Sequence, residues 1–243
     1  MKGPTITLLA GLLCAVLMFA SGQAAEGPNA RSCAWRTYEL LEADAAGVVR
    51  LKFTGMGAAS GDSIKVTVTP TVDLNLRIRV EPGTVLLSSV PSEQDMVVRR
   101  VRGKMITELH FEPSVDIEVE CDETKTYVLE AYCLDRTKGM PSRTTMFTIG
   151  GRMPRDVAKV IAALPEHSEA SVQAIQNAIW VATKDMSLSE VGSGVLSEDV
   201  QAREILISAG LDASVETSDD VSQVLPLLAL GLLLLVLTAI LDL

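Results

Sequence analysis

Histidine is scarce in this chain: two residues in 243, His110 and His167. Neither stands in a metal-ligand spacing or beside a serine-nucleophile motif, so the sequence offers no catalytic residue and no metal ligand. The carboxylates Glu118, Glu120, Asp122 and Glu123 lack calcium-loop spacing and read as a solvated strand edge and turn. Aromatic residues make up 4% of the chain, too few for the stacked platforms that hold carbohydrate. Lys and Arg number 21 against 31 Asp and Glu, a net charge of −10, and no basic stripe is visible. A nucleic-acid partner needs such cations to neutralise phosphates, so none is expected. The chain also lacks internal repeats and low-complexity tracts. These absences argue against an enzyme and against any cofactor, and leave binding or structural roles.

What is present begins at the two ends. Met1-Lys2-Gly3, an apolar run to Phe19-Ala20 and the small residues Ser21, Gly22 and Ala24 form the three-part pattern of a secretory signal. Residues 1–25 are therefore expected to be a signal peptide, drawn as an N-terminal helix. At the other end, residues 224–241 run without charge until Asp242. About eighteen residues at ~1.5 Å each give ~27 Å, close to the ~30 Å of a hydrocarbon core. Residues 224–243 are expected to be a transmembrane anchor, reached through an acidic stalk at 213–223. Together the ends predict an exported protein of the cell membrane, with the bulk of the chain extracytoplasmic and the membrane as one partner.

Between the ends, period-two alternation dominates residues 26–150. Val72, Leu74, Leu76, Ile78 and Val80 alternate with Asp73, Asn75, Arg77 and Arg79; the same holds for Ile64-Val66-Val68, Val115-Ile117-Val119 and Tyr127-Leu129-Ala131. Alternation of this kind marks strands with one buried face. Turn formers such as Ser60-Gly61-Asp62 and Glu81-Pro82-Gly83 separate them. Short strands without intervening helices predict an antiparallel β-sandwich. After Gly150-Gly151 the period lengthens. Pro154 opens a helix that Pro165 ends, Ser168 caps a second running to about Thr183, and Ser197-Glu198-Asp199 starts a third that Gly210 closes. Residues 151–212 thus form a small helical subdomain.

Export leaves three cysteines, Cys33, Cys121 and Cys133, an odd count for an oxidising compartment. A hairpin turning at 122–124 would set Val119 opposite Tyr127 and Ile117 opposite Leu129. Cys121 and Cys133 would then lie about 26 Å apart, far beyond the ~5.5 Å between Cα atoms that a disulfide requires. One of the two can pair with Cys33, Cys33–Cys121 being a candidate disulfide, and the other is left free.

In the second helix Val172, Ile175, Ile179 and Ala182 share a side, and Gln176 falls inside that apolar arc. A buried amide left unpaired costs about 1–3 kcal/mol, so Gln176 needs a definite partner, either a backbone group or a covalent one. Tyr132-Cys133-Leu134 followed by Ile175-Gln176-Asn177-Ala178-Ile179-Trp180 resembles the two signatures of bacterial thioester domains, found at the tips of surface adhesins. Ile175 stands where the family has threonine. The resemblance, over about residues 131–183, implies a prokaryotic source and an internal Cys133–Gln176 thioester that captures amines from a surface protein or another amine-bearing ligand. A thioester must be shielded from water, and Trp180, one helical turn after Gln176, is the candidate shield, its other reading being core packing. The expected function is a membrane-anchored, extracytoplasmic adhesion-type binding module. The alternative is a non-covalent structural domain of the cell envelope, with structural cysteines and no reactive bond.

Overall fold

Alternating apolar residues and the turns between them give ten strands among the residues described by this computed structural model, which are 33–108, 110–151, 153–184 and 186–213. In chain order they are β1 (Trp35–Glu39), β2 (Val49–Gly55), β3 (Ser60–Pro70), β4 (Asn75–Arg79), β5 (Val85–Ser88), β6 (Met96–Thr107), β7 (His110–Pro113), β8 (Ile117–Val119), β9 (Lys125–Cys133) and β10 (Met146–Ile149). A short helix, α1 (Leu40–Ala45), joins β1 to β2. Six strands pair antiparallel in the order β5-β10-β2-β3-β9-β6, and the sheet closes because β6 returns to β5 through Val85 opposite Val97 and Leu86 opposite Met96. β7 pairs with the far part of β6, outside the ring.

The expected β-sandwich is therefore corrected to a closed six-stranded barrel. Alternation shows that a strand has one buried face. It does not say whether that face meets a second sheet or the inside of its own. Closure here depends on long strands that bend: β3 has 11 residues and β6 has 12. The β3–β9 register shifts between Asp62 and Ile64, and the β6–β9 register shifts twice, between Val98 and Arg100 and between Val101 and Gly103. Such irregularities add bend and twist where a sheet must curl. Gly103 also lets β7 fold tightly back, since a Cβ there would strike the backbone oxygen of Glu112 and the ring of Phe111.

A second correction concerns the expected hairpin. β8 does not pair with β9 but with β4, in a separate three-stranded sheet ordered β1-β4-β8, with β1 parallel to β4. The inner residues of this sheet, Leu76, Ile78, Ile117 and Val119, share one core with the barrel interior. The disulfide joins Cys33, just before β1, to Cys121, just after β8. Asn75 holds both halves of it: Nδ2 donates to the Cys33 oxygen at 2.9 Å, and Oδ1 accepts from the Cys121 N–H at 3.0 Å.

The helices follow: α2 (Arg155–Ala163), a 3-10 turn at Leu164–His167, α3 (Val172–Lys184), the single turn α4 (Leu188–Val191) and α5 (Leu196–Ser208). Helix α3 begins later than expected, because Ser171 rather than Ser168 accepts the first free N–H, that of Ala174, at 3.1 Å. Gly210, at φ +65°, ends α5 as expected. Tyr132 on β9 and Val97 on β6 point out of the barrel and are buried with Val160, Ile175, Ile179 and Leu206. Each large side chain covered this way contributes about 1.5–3 kcal/mol. The signal helix expected at 1–25 and the transmembrane helix expected at 224–243 lie outside the described residues. Among the described residues no helix is long and apolar enough to cross a membrane, so both assignments are left without structural support.

Candidate functional site at the junction of barrel and helices

Strand β9 places alternate residues on opposite sides of the barrel wall. Leu129, Ala131 and Cys133 face the interior core, whereas Tyr132 faces the helices. Helix α3 packs across the end of this strand and carries Gln176 to it. The missing side chain of Gly61, which also has positive φ, keeps that approach open, for a Cβ there would press on a methyl of Val172 at 3.3 Å.

Gln176 and Cys133, 43 residues apart, meet in a fully buried contact made of two hydrogen bonds. The Cys133 N–H donates to Gln176 Oε1 at 3.0 Å, and Gln176 Nε2 donates to the Cys133 carbonyl at 2.9 Å. The same N–H also donates to the Ala59 carbonyl at 3.1 Å. The carboxamide thus binds the peptide of Cys133 as a neighbouring strand would. The thiol has its own contact, with Met96 Sδ at 3.5 Å. Cys133 is free of any disulfide, and burial pushes its pKa up to about 12. Nothing in its surroundings offsets that burial.

Trp180, one turn beyond Gln176, packs against the barrel core that contains Cys133 and against Ala174, Leu188, Val191 and Ala202. The Arg136 guanidinium lies 5.6 Å from its ring centroid, a cation–π distance, and Arg136 also donates to the Glu190 carbonyl. Trp180 Nε1 and the Nδ2 of neighbouring Asn177 are buried without a protein acceptor among the described residues.

Three features escape a reading of the sequence. Met96 touches the thiol because β6 pairs with β9 and sets Met96 opposite Cys133. Asn177, on a position that periodicity marks as polar and outward, is fully buried and accepts from Gln173 Nε2 at 2.8 Å. Glu130 on β9 is buried and receives Arg99 Nη1 at 2.8 Å, Arg100 Nε at 2.6 Å and the Tyr132 hydroxyl at 2.6 Å. Burial alone would raise its pKa, but these donors outweigh burial and hold the carboxyl below the usual carboxylate range. The one signal for Glu130 in the sequence is a charge in a strand whose neighbours are all apolar.

The other singled-out residues are placed as follows. Glu118 pairs with Arg77, and Glu120 and Glu123 both reach Lys125. His110 is exposed on β7. His167 Nε2 lies 2.9 Å from Ser208 Oγ, but Ser208 ends α5, where the helix dipole is negative and opposes a developing alkoxide. Among the described residues no three His, Cys, Asp or Glu side chains are grouped to hold a metal ion. Comparison with known proteins gives no match to a family model, to a curated protein or to a solved structure.

Proposed function

We propose that the chain is an exported surface-binding module in which Cys133 and Gln176 form the reactive element, an internal thioester that captures amines. The carrying observation is the hydrogen bond from the Cys133 N–H to the carboxamide oxygen of Gln176. A donor on that oxygen stabilises the negative charge that develops there when the amide carbon is attacked, and here the donor belongs to the residue that carries the nucleophile. The reaction balances without a co-reactant. The Cys133 sulfur bonds the Gln176 carbon, the C–N bond breaks, and the thiol proton leaves with the amide nitrogen as ammonia. An arriving amine then bonds the same carbon, releases the sulfur and returns a proton to it. Trp180, half-buried over this junction, supports the shielding that a thioester requires against water. The Cys33–Cys121 disulfide supports export, since such bonds persist in oxidising compartments.

A second reading rests on a different observation: both polar atoms of the carboxamide already have peptide partners, and the thiol is strongly disfavoured as thiolate. In that reading Gln176 is a non-covalent clip joining the helices to the barrel, and the module binds its partner reversibly. Intact mass of the reduced protein separates the two. Loss of one ammonia, abolished in Cys133→Ala, together with uptake of methylamine at Gln176, establishes the reactive form. An unmodified mass and no uptake establish the clip.

A further inference from the structure

The strongest unexplained feature outside this junction is a cavity of about 690 Å³ where β6 passes the small sheet and the 113–116 segment. Its walls include three arginines, Arg77 from β4 and Arg100 and Arg102 from β6, in a protein of net charge −10. Two acids, Asp116 and Glu118, and Ser114 also line it. Each of the three arginines is paired with a carboxylate, so what the site offers is oriented guanidinium edges rather than a net positive charge.

The arginines are fixed in place. Arg100 donates through Nε to Glu130, Arg102 through Nε to Asp62, and Arg77 through Nε and Nη2 to Glu118. At least one Nη of each guanidinium is then left without a hydrogen-bond acceptor among the described residues. Glu130 is the anchor of the arrangement, being buried and held from the other side by Arg99 and Tyr132. A guanidinium held through Nε cannot swing freely, so little side-chain freedom remains to be lost when its open edge meets a ligand. Planar forks of this kind match carboxylate and phosphate oxygens.

We propose that this cavity is a binding site for a small ligand carrying two or more oxyanion groups, carboxylate or phosphate. Arg77, Arg100 and Arg102 supply the donors. Asp116 and Glu118 limit occupancy to ligands whose anionic groups align with the arginines, because a group placed against either acid is repelled. The site is separate from the Cys133–Gln176 junction and does not depend on thioester formation.

The test is titration calorimetry of the intact protein at low ionic strength with citrate and, separately, with inorganic pyrophosphate. Heat with citrate alone identifies carboxylate ligands, heat with pyrophosphate alone identifies phosphate ligands, and heat with both identifies the shared chemistry. Arg77→Gln and Arg100→Gln should each weaken binding about tenfold, the effect of one lost charge-assisted contact. Arg50→Gln, which removes the same charge from an exposed position on β2, should leave binding unchanged. Arg77 and Glu118 are both about half-exposed, so loss of their pair costs little stability, and Arg77→Gln remains a usable variant even if Arg100→Gln unfolds. No heat with either anion overturns the proposal, as does weakening by Arg50→Gln equal to that by Arg77→Gln.

Discussion

The side chain of Gln176 and the main chain of Cys133 exchange two hydrogen bonds, at 3.0 Å and 2.9 Å, across the boundary between a helix and a barrel strand. One residue of α3 thereby gives the buried Cys133 carbonyl a donor and its N–H a second acceptor. Gln176→Ala leaves the Cys133 carbonyl without this donor, while its N–H keeps Ala59. The expected loss is about 1–3 kcal/mol in urea unfolding. A loss near zero would mean that water replaces the amide and that the contact is not the joint described here.

Cys133 supplies a pH signature. Its folded pKa of about 12 lies above its ordinary value, so the folded protein holds the proton longer than the unfolded chain does. The stability this provides is complete at neutral pH and is lost as pH rises from about 9 toward about 12. Burial also raises Tyr127 and Tyr132, which add to the fall at the alkaline end. Cys133→Ala should flatten the early part of this decline in thermal melts taken across the alkaline range. In the form whose Cys133 thiol is unreacted, iodoacetamide at neutral pH should label Cys133 only after denaturant is added.

Glu130 acts in the opposite sense. Its folded pKa is depressed, so it stabilises the fold above the ordinary carboxylate pKa and loses that contribution as pH falls through the folded value. Glu130→Gln should make the acid limb of the stability profile shallower. At neutral pH the same substitution should cost about 3–5 kcal/mol, because it strands the buried Arg99. Chemical denaturation at acid and neutral pH measures both effects.

Replacing both Cys33 and Cys121 by serine opens a loop with a sequence separation of 88 residues. The expected cost is about 2–4 kcal/mol. Cys133 should stay as slow to alkylate in this variant as in the parent, since its cover comes from Met96 and α3. Fast labelling in the folded double variant would show that the small sheet also guards the junction.

The strands and helices were legible because their signals are local. Ile64-Val66-Val68 and Tyr127-Leu129-Ala131 lie on β3 and β9, and Pro154 and Gly210 mark the start of α2 and the end of α5. Barrel closure was not legible, because the pairing of Val97 with Val85 joins a continuous β6 to a four-residue strand whose alternation is weak. Nor was the partner of β8. The short turn after Val119 favours a hairpin, yet Ile117 and Val119 gain more by covering the barrel core beside Ile78 and Leu76. At the site, Gln176 was visible as a polar residue in an apolar arc. The identity of its partner atoms, peptide groups rather than sulfur, depends on where α3 lands and has no counterpart in the residue pattern. The arginine cavity combines residues from β4 and β6 and could not be seen as a stripe.

The Cys33–Cys121 bond also sets the covalent path that any tension along the chain would follow. Tension entering on the residue 33 side passes through the cystine directly to residue 121, so the strands from β1 to β8 lie off the covalent line of force. When the chain is pulled against the residue 213 side, the covalent path runs on through β9, β10 and the helices, and the barrel strands share the load through their ladders with β9 and β10. Gln176 joins β9 to α3 along this route, so its two hydrogen bonds lie on the part of the chain that the cystine does not bypass.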